Sequence, residues 1–142
     1  ILASGDGAAA SNAWLGGVLQ AVSHALAKAA MFLGAGLVGF ALGHDRVASL
    51  GGAARAMPIT VIAFAIAGLS LMGLPPSGGF SAKWLLLRAS VETGQWWWSL
   101  VILSGGLLTG GYVYRIVSSA LSAPEPDAVK VRVPRSQELC VL

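Results

Sequence analysis

Charge is what this sequence has least of. Only 11% of its 142 residues are Asp, Glu, Lys or Arg, against roughly a quarter in an ordinary soluble domain. With 56% hydrophobic residues, too little polar surface remains to clothe a water-soluble globule of this size. That argues against a soluble enzyme, a disordered chain and a nucleic-acid module. Nine Lys and Arg stand against six Asp and Glu, but the basic residues are not gathered on one face with interleaved aromatics, as nucleic-acid binding requires. Cysteine is nearly missing as well. Cys140 is alone, which excludes an internal disulfide and a cysteine-based metal site, and only Val141 and Leu142 follow it, so there is no four-residue prenylation box. No carboxylate pair, nucleophile triad, metal-ligand cluster or flavin, haem or iron–sulfur ligand set occurs, so no cofactor is expected in this chain. No basic stretch followed by an apolar run opens the sequence, so no signal peptide is visible. The first residue is Ile1, which reads as a truncation or as the interior of a longer protein.

What is present is long apolar sequence, with a mean hydropathy of +0.75. Residues 1–12 are small and polar and read as a loop or frayed end; residues 13–122 read as a membrane domain. Residues 14–42 carry only His24 and Lys28 as ionisable groups. As a helix they span about 43 Å, enough to cross a core of ~30 Å with tilt or overhang. Residues 57–91 would make a helix of about 52 Å, too long for one straight span and too short for two with a turn. Pro75-Pro76, followed by Gly78 and Gly79, breaks this stretch. The reading is one discontinuous helix whose freed backbone groups are satisfied inside protein. Trp96-Trp97-Trp98 opens the last span, 96–117, and Tyr112 and Tyr114 close it. These aromatics fit two interfacial belts about 28 Å apart far better than a ligand cage. Residues 123–142 form a polar tail, in which Val129, Val131 and Val133 suggest a short strand. Gly34, Gly36 and Gly39, and Gly105, Gly106, Gly110 and Gly111, read as helix-packing residues, not as a phosphate loop. The expected fold is an all-α membrane protein with about three transmembrane helices, the second broken at Pro75-Pro76.

Charge sets the expected topology. Arg46, Arg55, Arg115, Lys130, Arg132 and Arg135 fall on one side of three crossings, and Asp6 and Glu92 on the other. Lys and Arg mark the cytoplasmic side, so the carboxyl end is placed inside.

Lysines within the apolar runs carry the chemistry. Lys28 lies in the middle of 14–42, where a charge costs a few kcal/mol. An amine there must face protein or water, or shed its proton. His24, four residues earlier, shares its helix face, and imidazole exchanges protons near neutrality. The pair reads either as a relay step or as a packing pair. Lys83 follows the double proline within the second half-helix. A broken helix leaves unpaired carbonyls and a helix start at membrane depth, the construction many transporters use for ion sites. Lys83 is therefore a candidate proton site, or else a side chain that snorkels to the interface. Arg88 and Arg115 read as interface anchors.

Three sequence blocks together resemble one family. They are His24-Ala25-Leu26-Ala27-Lys28-Ala29 with Phe32-Leu33; Asp45-Arg46 with Leu50-Gly51-Gly52 and Arg55-Ala56-Met57-Pro58; and Gly73-Leu74-Pro75-Pro76 with Gly79-Phe80 and Lys83. Their order and spacing are similar to the antiporter-like proton-translocating subunits: subunits L, M and N of respiratory complex I and the large subunits of Mrp-type cation/proton antiporters. The resemblance covers about residues 14–117. It implies part of an inverted-repeat transporter fold, with this chain similar to the last part of the second repeat. Residues 14–42 then resemble the eleventh helix, 57–91 the broken twelfth and 96–117 the thirteenth. Lys83 falls on the lysine of the broken helix, and Lys28 and His24 on the central hydrophilic axis. The family's first repeat, with its glutamate–lysine pair, has no counterpart here, and the fourteenth helix is replaced by the polar tail. The chain is thus expected to be a fragment or one half of a split subunit.

The function this implies is a proton-translocating membrane subunit of an NADH:quinone oxidoreductase-type complex. Protons would pass along Lys28, Lys83 and His24, with no redox site in this chain. The rivals are an Mrp-type monovalent cation/proton antiporter subunit and a structural membrane subunit without conduction. Expected partners are the lipid bilayer, other membrane subunits and the missing first repeat, in the inner membrane of a bacterium, with no nucleic acid.

Overall fold

The computed structural model describes residues 7–43, 47, 50–123 and 133–141, and every regular element among them is a helix. In chain order these are α1 (Gly7–Leu42), α2 (Ala53–Ala56), α3 (Pro58–Met72), α4 (Gly78–Glu92), α5 (Trp97–Leu121) and α6 (Arg135–Leu139). α1 and α5 are long and apolar enough to cross a membrane. At 15 residues apiece, α3 and α4 each reach about 22 Å and fall short of a ~30 Å core. The chain between them, residues 73–77, is non-helical, at the place where the double proline removes two backbone donors.

Two boundaries differ from the sequence expectation. α1 begins at Gly7, so residues 7–12 are helical rather than a loop. Ala8, Ala9 and Ala10 are the strongest helix formers, and Ala9 and Ala13 are buried at 5% exposure, so packing secures what propensity favours. α5 runs past residue 117 to Leu121, because its last turn supplies Ala120 to the core. The polar tail contains the short helix α6. The strand expected through Val129 and Val131 lies outside the described residues, as do Asp6, Arg46, Lys130 and Arg132 of the topology argument.

The chain forms two compact units. The first comprises residues 1–27 and 69–110. Here α1 and α4 run antiparallel: a Cβ on Gly16 would lie 3.0 Å from Leu85 Cβ, and one on Gly78 would lie 3.4 Å from Ser23 Cβ. α4 buries small residues, Ala82 and Ala89, and Ser90 behind them. The Ser90 and Ser99 hydroxyls share a hydrogen bond of 2.7 Å that ties α4 to the start of α5.

The second unit comprises residues 28–68 and 111–142. Its core is Leu42, Leu50, Ala53 and Ala120, with Val38, Val47, Val61 and Ile116 packed against it. The Gly52 N–H donates to the Ser122 carbonyl at 3.1 Å, and the Ser119 hydroxyl donates to the Val47 carbonyl. The segment before α3 and the end of α5 therefore meet at one end of this unit. An apolar cavity of about 140 Å³ lies among α1, α3 and α5, with Phe64, Tyr112 and Ile116 in its walls.

Candidate functional site

The break between α3 and α4 is built from backbone groups that a helix cannot pair by itself. The last four carbonyls of any α-helix lack intrahelical partners. In α3 these belong to Leu69, Ser70, Leu71 and Met72. Gly73 turns the chain with φ +80°, a left-handed conformation that glycine takes at no steric cost. Leu74 N–H then donates to the Leu69 carbonyl at 3.1 Å and Gly73 N–H to the Ser70 carbonyl at 3.1 Å. This paired closure is the Schellman motif, and it leaves the Leu71 and Met72 carbonyls open.

Lys83 takes both. Its Nζ donates to the Leu71 and Met72 carbonyls, each at 2.8 Å. The side chain is positioned from α4. Ser77 caps that helix by accepting from Phe80 N–H at 3.2 Å and donates its own proton to the Leu74 carbonyl at 2.6 Å. A helical side chain leans toward the helix start, so Lys83 reaches back over the first turn of α4 to the end of α3. Two glycines allow that reach. A Cβ on Gly79 would overlap the Ser70 carbonyl oxygen, so only glycine lets the start of α4 press against the end of α3. A Cβ on Gly106 of α5 would stand 2.9 Å from the Met72 carbonyl oxygen and 3.1 Å from Lys83 Nζ.

The electrostatics follow from this geometry. Among the described residues the one ion pair is Arg88 with Glu92, at 2.7 Å on an exposed face of α4. Among the described residues no carboxylate pairs with Lys83. Its charge rests on two carbonyls and on the negative end of the α3 dipole, an interaction worth roughly 0.3–1 kcal/mol at an exposed end and up to about 2 when part-buried. An ammonium has three donors; two are used here, and no described residue accepts from the third.

The other two sequence-derived residues sit on α1. His24 is exposed, one turn before Lys28, and no hydrogen bond links it to Lys83 among the described residues. Lys28 is also exposed, with its Nζ 5.9 Å from the centroid of the Phe32 ring, a cation–π placement. Pro75, Pro76, Gly78 and Gly79 all belong to the break around Lys83. Sequence reading passed over Gln20. One turn before His24, its side-chain carbonyl oxygen is buried and has no hydrogen-bond partner among the described residues. A polar amide inside an apolar run was the available signal. Such an acceptor, left dry, costs about 1–3 kcal/mol. Among the described residues no group of His, Cys, Asp and Glu is placed to hold a metal ion.

Residues 3–109 match the family described as "NADH:quinone oxidoreductase/Mrp antiporter, TM". The chain is 40% identical over 115 residues to NADH-quinone oxidoreductase subunit N of Desulforudis audaxviator, covering 80% of this chain and 23% of that protein. It is 33% identical to formate hydrogenlyase subunit 3 of Escherichia coli, covering 68% of this chain and 16% of that protein. Against F(420)H(2) dehydrogenase subunit N of Methanosarcina mazei it is 26% identical, covering 84% of this chain and 26% of that protein. The chain thus spans about a quarter or less of the length of these relatives.

Proposed function

This chain belongs to the NADH:quinone oxidoreductase/Mrp antiporter transmembrane family, and on that premise we propose that it is part of a proton-translocating membrane subunit of a redox-driven complex, with Lys83 as a station for the proton. The observation that carries the reading is the Lys83 amine turned onto the Leu71 and Met72 carbonyls at the broken helix.

The proposed step is local. Charged, Lys83 holds both carbonyls strongly, since charge-assisted hydrogen bonds are roughly twice as strong as neutral ones. Loss of its proton weakens that hold and frees the side chain to swing. Reprotonation draws it back. His24 and Lys28 extend the route through water, each group alternating between protonated and neutral forms. Moving one charge across the membrane costs about 2.3 kcal/mol per 100 mV, so the energy comes from redox chemistry in partner subunits. The names of the relatives favour this over the antiporter alternative: an oxidoreductase, a hydrogenlyase and a dehydrogenase subunit. The same reading places the chain in a bacterial inner membrane, its carboxyl end cytoplasmic, beside other membrane subunits and the family's first repeat.

The test is Lys83→Ala in the assembled complex, with proton translocation and electron transfer measured separately. The expected outcome is normal assembly with proton translocation abolished. Translocation at the unmodified stoichiometry refutes the role; lost assembly with normal coupling in the remaining complex assigns Lys83 to structure instead.

A further inference from the structure

The carboxyl-terminal segment of the second unit has no part in the proposed relay, yet it is anchored in an unusual way. Glu138 is only 2% exposed, and no cation pairs with it among the described residues. Its Oε2 accepts from the Thr60 backbone N–H at 3.3 Å and from the Thr60 hydroxyl at 3.5 Å. Thr60 is in the first turn of α3, where the helix leaves its own N–H groups unpaired and where the dipole favours an anion. Met57, which precedes Pro58 at the start of α3, has no side-chain oxygen to act as a cap. Three residues beyond Glu138, Val141 is buried at 4% exposure. A Cβ on Gly34 of α1 would lie 3.5 Å from Val141 Cγ1 and 3.5 Å from Thr60 Cγ2, so both anchors grip the same place.

Little else holds the segment. Arg135, Ser136, Gln137, Leu139 and Cys140 are exposed. α6 has five residues, too few to persist as a helix without support. Both contacts of Glu138 are long for hydrogen bonds.

We propose that residues 133–141 form a strap that closes over the first turn of α3 and opens by release of Glu138 and Val141, so that the carboxylate is a removable cap supplied from the tail. Closed, it covers Thr60 and Gly34. Open, it leaves the Thr60 N–H and hydroxyl without that acceptor.

The test uses the full chain in lipid nanodiscs and two readouts. The first is hydrogen exchange at the Thr60 amide. Glu138→Ala is expected to speed that exchange about tenfold, in line with the loss of a helix cap, while amides in the middle of α3 and α5 keep their protection. Glu138→Gln, which keeps an acceptor oxygen but not the charge, falls between. The second is disulfide formation between Gly34→Cys and Val141→Cys in a Cys140→Ser background. The cross-link is expected to form under mild oxidant and to slow with Glu138→Ala. Unchanged Thr60 exchange, or equal cross-linking with and without Glu138, overturns the proposal. So does loss of protection throughout α3 and α5, which would make Glu138 a fixed part of the fold.

Discussion

A single lysine shows how position changes the meaning of a residue. Lys83 in an apolar segment reads equally as a proton site or as a snorkelling anchor. The structure turns it inward, onto the carbonyls that the Schellman closure of α3 leaves over. Glycines around it are then not interchangeable. Gly73→Ala must hold a left-handed φ, costing about 1 kcal/mol, and its Cβ would meet the Lys83 side chain, which can bend away. Gly79→Ala would drive a methyl into the Ser70 backbone carbonyl, which cannot move without parting α3 from α4. We expect Gly79→Ala to lower stability by about 1–3 kcal/mol, the range for overpacking, and by more than Gly73→Ala. Thermal or detergent denaturation of the two variants side by side gives the order; the reverse order would mean that the helix ends are not pressed together as described.

At the scale of elements, the break was legible and its closure was not. Pro75-Pro76 lacks two backbone donors, so an interruption between residues 57 and 91 follows from covalent structure alone. Where each half ends depends on caps. Gly73 closes α3 and Ser77 opens α4, and these residues become decisive only once both helix ends are known. Ser77→Ala removes the acceptor for Phe80 N–H and is expected to cost about 1 kcal/mol. The loss should appear as faster hydrogen exchange in the first turn of α4, with α5 unaffected; uniform change across both would point to a wider role. The early start of α1 and the late end of α5 escaped the sequence reading for a related reason. Ala9 and Ala13 are buried, and Ala120 packs against Leu42, Leu50 and Ala53, far away in sequence; a polar or weakly apolar stretch gives no sign of that.

For the whole molecule, what matters is how much surface its helices leave apolar. Leu107 and Leu108 of α5 are 81% and 77% exposed, as suits a helix that meets lipid. The match covers only 23%, 16% and 26% of the three relatives' own length. We therefore expect the chain alone, reconstituted in liposomes, to conduct no protons under an imposed potential; pH-dye fluorescence reads this directly, and flux that depends on Lys83 would show that the chain suffices without a partner. We also expect a reporter fused after Leu142 to be active on the cytoplasmic side, because the basic residues gather on the carboxyl-terminal side of the last span. Activity only on the far side of the membrane reverses the assigned topology.

Composition and order of residues were enough to decide the membrane setting, the helical class, the interruption at the double proline and the family, because each rests on local chemistry: hydropathy, missing donors, and short blocks at fixed spacing. They could nominate Lys83, His24 and Lys28 but could not say what each touches. Tertiary structure decided that the Lys83 amine closes the end of α3 and that Glu138 caps a helix 78 residues earlier in the chain. Those pairings join groups far apart in sequence, and only the folded backbone brings such donors and acceptors within reach.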